Sequence, residues 1–217
     1  MMKLLKKELR LAASPVTYLF IVFGMTALIP GYPILIGSFF LGLGLFQSFQ
    51  TAREANDLTY TALLPVAKTD AVRAKYLFCG FIQLCYLLLT SAVTLIRMTA
   101  LSGAKVYINN PMMNANLVYL GFVMLSLGLF QSVFVGDFFK TGYSLARPFL
   151  RFIILSFLTV GLGETLFHLP RMSALNSPGF SNIGLQLAAL LLGAISYFAL
   201  TAVSVQRSLR SFERIDL

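Results

Sequence analysis

The sequence predicts an all-α membrane protein with six transmembrane helices, an N-terminal amphipathic helix on the bilayer surface and a short helix in a cytoplasmic loop, all in a single transmembrane domain over residues 1–217. Three observations carry that expectation. With 58% hydrophobic residues and a mean hydropathy of +0.81, the chain is far more apolar than soluble domains, which average about 45–50% on a similar count. Its apolar residues gather into six stretches separated by polar or basic segments. Its 17 Lys and Arg outnumber 8 Asp and Glu, a formal charge of +9. They fall between the apolar stretches rather than on a basic, aromatic face, so they read as topology signals and argue against nucleic acid as a partner.

In chain order, MMKLLKKELRLAAS sets Leu4, Leu5, Leu9 and Ala12 at helical spacing with Lys3, Lys6, Lys7 and Arg10 at other positions. That is the pattern of an interfacial helix over residues 1–13, drawn to anionic lipid. A signal peptide is the alternative reading. Against it, no clear small-x-small cleavage site follows, and the apolar segment continues into a second span through Pro30-Gly31-Tyr32-Pro33. Ser14 and Pro15 supply the cap and first position of span one, Pro15 to Ile29, and span two runs from Ile34 to Phe49. Both are short for a bilayer that needs about 17–25 residues.

The segment Thr51 to Lys75 packs Arg53, Glu54, Asn56, Asp57, Lys68, Asp70, Arg73 and Lys75 between two hydrophobic spans. It belongs in water or against a protein partner, with residues 51–70 as the loop proper. Asp57 is expected to cap a short helix over Leu58 to Leu64, which Pro65 ends because it lacks a donor. Thr69 or Asp70 then caps the next helix, which runs into span three, Tyr76 to Ile96. Cys79 and Cys85 lie six apart on that helix, about 9 Å along its axis, too far to bridge each other. They read as small lipid-buried residues.

A polar loop, Arg97 to Asn116, leads to span four, Leu117 to Val135. GDFFKTGYSLARPFLR forms a basic loop before span five, Phe149 to Phe167, and a further polar loop precedes span six, Ile183 to Val205. All Lys and Arg except Arg97, Lys105 and Arg171 then fall on one face, which places both termini and the loop at residues 51–70 in the cytoplasm. Gly184, Ala188, Ala189, Gly193 and Ser196 form a small-residue stripe on span six for close helix packing. LGLGLFQSF from Leu41 resembles LSLGLFQSV from Leu125, with Gln47 and Gln131 equivalent. It pairs spans two and four, which an inverted three-plus-three repeat would not.

Catalytic chemistry is not visible. A single histidine, His168, excludes a two-histidine metal site or a HExxH protease site in one chain. Lys140-Thr141 lacks the glycines of a phosphate loop. The one acid inside a span is Glu164, about 22 Å along span five from Phe149 and toward the outer edge of a roughly 30 Å hydrocarbon layer. Arg97 and His168 lie near the same face, so Glu164 either pairs with one of them at an outer gate or reaches interfacial water.

Glu54, Asn56, Asp57, Tyr60, Thr61, Leu63, Leu64, Pro65, Val66, Lys68 and Asp70, followed by AKYL at 74–77, resemble the loop between spans two and three of type 2 ABC transporter permeases. FFKTGYSLARPF at 138–149 resembles the second internal loop of small permeases in bacterial exporters of peptide toxins and lantibiotic-like peptides. The likeness covers nearly the full chain. It implies a type 2 ABC exporter-like fold and a bacterial cell-membrane permease that is not itself an enzyme. It also implies a second permease subunit, identical or not, in the lipid bilayer, and separate cytoplasmic ATPase subunits that bind ATP and Mg, with no cofactor on this chain. The helix bearing Glu54, Asn56, Asp57, Tyr60, Thr61, Leu63, Leu64 and Pro65 would be the coupling helix, and the cargo an amphipathic peptide or other hydrophobic molecule. The alternative is the membrane-embedded substrate-binding subunit of a vitamin importer, which would capture its ligand in a polar outer pocket.

Overall fold

The computed structural model describes residues 2–63, 66–141 and 144–214. Leu64 and Pro65, the expected end and stop of the loop helix, lie outside the described residues.

The N-terminal helix α1 (Met2–Lys7) continues as a π-helical turn, Glu8–Ala12. The chain then turns sharply into α2 (Pro15–Ile21), which tightens into a 3-10 helix, Val22–Leu28. Ser14 caps α2 as its spacing predicts, its Oγ accepting the Val16 N–H at 3.3 Å with Pro15 first in the helix. After the Pro30–Pro33 turn come α3 (Ile36–Glu54), α4 (Asp57–Ala62) and α5 (Lys68–Met98). The polar loop beyond α5 holds one short helix, α6 (Lys105–Ile108), that the sequence reading leaves as coil. Next are α7 (Leu117–Leu129), a π-helical segment Phe130–Val135 and α8 (Gly136–Thr141). Helix α9 (Ala146–Leu166), a 3-10 turn Ser173–Asn176 and α10 (Ile183–Phe212) complete the described chain.

Among the described residues, four helices are long and apolar enough to cross a membrane: α5, α7 through α8, α9 and α10. The segments Met2–Ala12 and Pro15–Leu28 meet that measure only as a pair, bent by 96°, which would make five. The difference from six arises in the two short spans. Span one is interrupted at Val22, and its α and 3-10 parts together reach only about 24 Å. Span two starts later than predicted and carries its helix past Phe49 into the charged Arg53 and Glu54. The cap positions of the loop also differ. Asp57 is the first residue of α4, after Asn56 at φ 50°, and α5 starts at Lys68 with Asp70 in its first turn rather than at its cap.

Helix α7 with its continuation is the most buried of the four long spans, 67% of its apolar window against 11% for α10. Phenylalanine fills the space between it, α3 and α9. Phe49 meets Phe134 edge-on at 5.0 Å, Phe130 meets Phe152 at 5.1 Å, and Phe46 stacks on Phe149 at 3.9 Å. Against α10 the fit is made by absence of side chain. A Cβ on Gly193 would lie 2.2 Å from the Gly121 carbonyl oxygen, and one on Gly121 would lie 2.6 Å from that of Ala189, so the two backbones touch. The predicted stripe on α10 is therefore only partly used: Gly193 is buried and Ala189 half-buried, while Gly184 and Ala188 face outward.

A buried polar network joins α5, the π-helical segment and α10. Gln83 donates through Nε2 to the Leu127 carbonyl at 3.2 Å, and its Oε1 accepts from Gln131 Nε2 and the Tyr197 hydroxyl, both at 3.0 Å. The Ser204 hydroxyl donates to the Gln131 carbonyl at 2.8 Å and shares a hydrogen bond with the Tyr76 hydroxyl at 2.6 Å. A π-helical turn shifts the backbone ladder and makes carbonyls available to such donors. Gln47 does not repeat this arrangement: it sits half-buried in regular α3.

Candidate functional site

Helix α4 has two faces with opposite assignments. Asp57 and Thr61, four apart, point inward. Tyr60, and Leu63 in the turn just past the last helical residue, point away from the protein with 59% and 82% of their surface exposed. Glu54 and Asn56, at the approach to the helix, are also exposed.

The inward face is held by a cluster of four charges from three elements. Lys7 Nζ lies 2.6 Å from Asp57 Oδ1 and 3.0 Å from Glu8 Oε1, and donates to Thr61 Oγ1 at 2.9 Å. Lys75, about two turns into α5 and just before its apolar run, pairs with Glu8 and lies 3.2 Å from Asp57 Oδ2. Its ammonium also sits over the Phe49 ring at 5.6 Å. All four side chains are at most 13% exposed. Burial works to raise the Asp57 carboxyl, but the Lys75 and Lys7 ammonium groups outweigh it and hold the group below its ordinary value. Burial likewise opposes the charge on Lys7, and Glu8 and Asp57 hold it above its ordinary value. Two cations and two carboxylates thus balance within a nearly dry pocket.

At the other end of the molecule the expected gate residues lie near one another but do not form an ion pair. Glu164 Oε2 accepts the Met113 N–H at 2.8 Å, while the Arg97 guanidinium lies 3.2 Å over the Tyr107 ring and donates to Asn114 Oδ1 at 3.4 Å. His168 stands exposed beside Phe167. The loop supplies a backbone donor at Met113 closer to hand than either cation, so Glu164 and Arg97 are linked through consecutive loop residues instead of directly. Asn114 and Asn116 continue the connection to the next outer loop: Asn114 N–H donates to Asn176 Oδ1 at 2.6 Å, and Asn116 Nδ2 donates to the Leu175 carbonyl at 2.9 Å.

A model of the family described as ABC-2 family transporter protein matches residues 3–213. The chain belongs to that family. No curated protein and no solved structure matches it. This ABC-2 protein is a multi-pass membrane permease component of a transporter, and membership implies work with ATPase subunits and dimerisation in general.

Sequence reasoning placed the permease's loop helix but missed two of the residues that seat it. Glu8 has no helical-spacing signature that separates it from the neighbouring lysines, and Lys75 counts as one more basic residue beside a membrane. A signal was present nonetheless: a lone acid amid Lys3, Lys6, Lys7 and Arg10 needs a local cation, and a lysine next to an apolar run needs a local anion.

Proposed function

We propose that this permease is the transmembrane subunit of an ATP-driven exporter in a bacterial cell membrane, with both termini cytoplasmic and six spans once the short α2 and α3 segments are counted as a thin hairpin. Helix α4 is its coupling helix, and the cargo is an amphipathic peptide or other hydrophobic molecule. ATP and Mg act on the partner ATPase, and this chain contributes no chemistry to hydrolysis.

The observation that carries the reading is the division of α4. A helix with a buried, charge-paired back and an exposed Tyr60 and Leu63 front is built to receive force from a partner and pass it inward. Asp57 and Thr61 serve coupling by fixing α4 to α1 and α5. Glu54, Asn56, Tyr60 and Leu63 serve it by touching the ATPase, together with Leu64 and Pro65. Movement of the ATPase subunits on nucleotide closure then reaches α5 through Lys75 and α1 through Lys7. At the outer end, Arg97, Glu164 and His168 surround the loop that has to part when the path opens outward. A vitamin-capture subunit would need a polar outer pocket, and the cavity beside Arg97, Tyr107 and Asn114 is only about 10 Å³, about enough for one water.

The test is transport by inside-out membrane vesicles containing this permease and its partner ATPase. ATP-dependent accumulation of a labelled amphipathic peptide inside the vesicles supports export. Uptake without nucleotide dependence, or ATP-driven movement out of the vesicles, contradicts it.

A further inference from the structure

Near the ends of α8 and α10 and the start of α9, α9 and α10 flank the α7–α8 column and leave a cavity of about 680 Å³ between them, within the roughly 300–1,000 Å³ range of small-molecule sites. Its walls are apolar: Val133 on the floor, Ile154 and Leu155 from α9, and Ala199, Leu200 and Val203 from α10. Its rim is not. Lys140, Arg151 and Arg207 line it with Asp137 as the one carboxylate, a surplus of two positive charges. Asp137 binds Lys140 and lies 2.6 Å from Arg151 Nη1, which orients both cations at the mouth. Arg207 is exposed and has no carboxylate partner among the described residues.

We infer that this groove binds an anionic phospholipid of the cytoplasmic leaflet. Its phosphate would lie at Arg207 and Lys140, and an acyl chain along the α9–α10 walls. Two features favour that occupant. The rim lies at the ends of α8 and α10 and the start of α9, where the basic loops meet the inner headgroup layer on the orientation proposed above. Ile154 and Val203, exposed on the two walls, leave the groove open sideways toward lipid. Basic pockets between spanning helices on the cytoplasmic side recognise acidic headgroups through this combination of charge and apolar depth. The consequence for the transporter is that a lipid wedges α9 from α10 beside the Gln131–Ser204 contact, so its occupancy bears on how those helices move.

The test is native mass spectrometry of the purified full-length permease, without ATPase, in detergent carrying equal amounts of phosphatidylglycerol and phosphatidylcholine. The wild type should retain phosphatidylglycerol preferentially. Arg207→Gln should lower that retention by roughly fivefold, the effect of one basic residue near a headgroup, and leave phosphatidylcholine unchanged. Ala199→Phe, which fills the groove, should lower retention of both lipids. Equal retention of the two lipids by the wild type overturns the proposal. So does an equal loss in Arg210→Gln, outside the groove, because the charge effect would then be diffuse. Displacement of phosphatidylglycerol by inorganic phosphate alone also overturns it, by showing an anion site that ignores the chain. Since no ATPase takes part, failure here leaves the coupling reading intact, and failure of ATPase capture leaves this result intact.

Discussion

Lys7 and Asp57 meet at 2.6 Å although one begins the chain and the other sits between the second and third apolar stretches. With Glu8 and Lys75 they make the surface helix, α4 and the foot of α5 a single mechanical unit.

Asp57→Ala would leave Lys7 and Lys75 competing for Glu8 in a pocket from which water is largely excluded. Breaking one partner of a buried ion pair costs about 3–5 kcal/mol. Thermal unfolding of the detergent-solubilised protein should show that loss, whereas Arg73→Ala, whose contact with Asp70 is 3.7 Å and exposed, should change stability by less than about 1 kcal/mol.

The same cluster sets a pH dependence. The Asp57 carboxyl is lowered in the folded protein relative to the unfolded chain, because Lys75 and Lys7 overcome the effect of burial. Its stabilising contribution is therefore full at neutral pH and fades as the pH falls below about 4 toward the lowered folded-state value. Melting temperatures measured down that range should fall more steeply for the wild type than for Asp57→Asn; parallel profiles would deny the carboxylate this role.

At the outer end, the contact from Met113 to Glu164 needs an acceptor and not a charge. Glu164→Gln should keep the melting temperature close to wild type, while Glu164→Ala strands a buried N–H and costs about 1–3 kcal/mol. A large loss in the Gln variant would show that the charge itself is required.

Gly193→Ala should sharply reduce folded yield on size-exclusion chromatography, since its Cβ would lie 2.2 Å from the Gly121 backbone and overpacking costs about 1–3 kcal/mol or more. Gly184→Ala meets nothing within 4 Å and should be tolerated.

How much of this was legible in the sequence depends on the range of the interaction. Local signals worked at some ends: Ser14-Pro15 starts α2, and apolar runs mark the starts of α7 and α10 and both ends of α9, whereas α5 begins at Lys68, well before its apolar run, and α10 continues to Phe212, well past its own. The π-helical turn at Phe130 was not legible, because the partners of its Gln131, the Gln83 side chain and the Ser204 hydroxyl, come from other helices. Nor was the use of Asp57. A capping pattern and a buried ion pair place the same residue type at a helix start, and only the approach of Lys7 and Lys75 decides between them.

Topology labelling tests the orientation with positions chosen from exposure. In a variant with Cys79 and Cys85 replaced by Ser, a cysteine at Arg210 should react with an impermeant reagent only after cells are opened. One at Leu169, 53% exposed, should react from outside. Reversal of the two would turn the protein over.

The coupling role of α4 is tested most directly by co-purifying the ATPase with a Tyr60→Ala/Leu63→Ala double variant and measuring ATP-driven transport in the same vesicles. Interface anchors commonly cost more than about 2 kcal/mol on truncation, so ATPase capture should fall by roughly thirtyfold or more and transport should be lost while membrane insertion and melting temperature stay unchanged. A double variant that inserts, captures the ATPase fully and transports at the wild-type rate would contradict the assignment of α4 as the coupling helix.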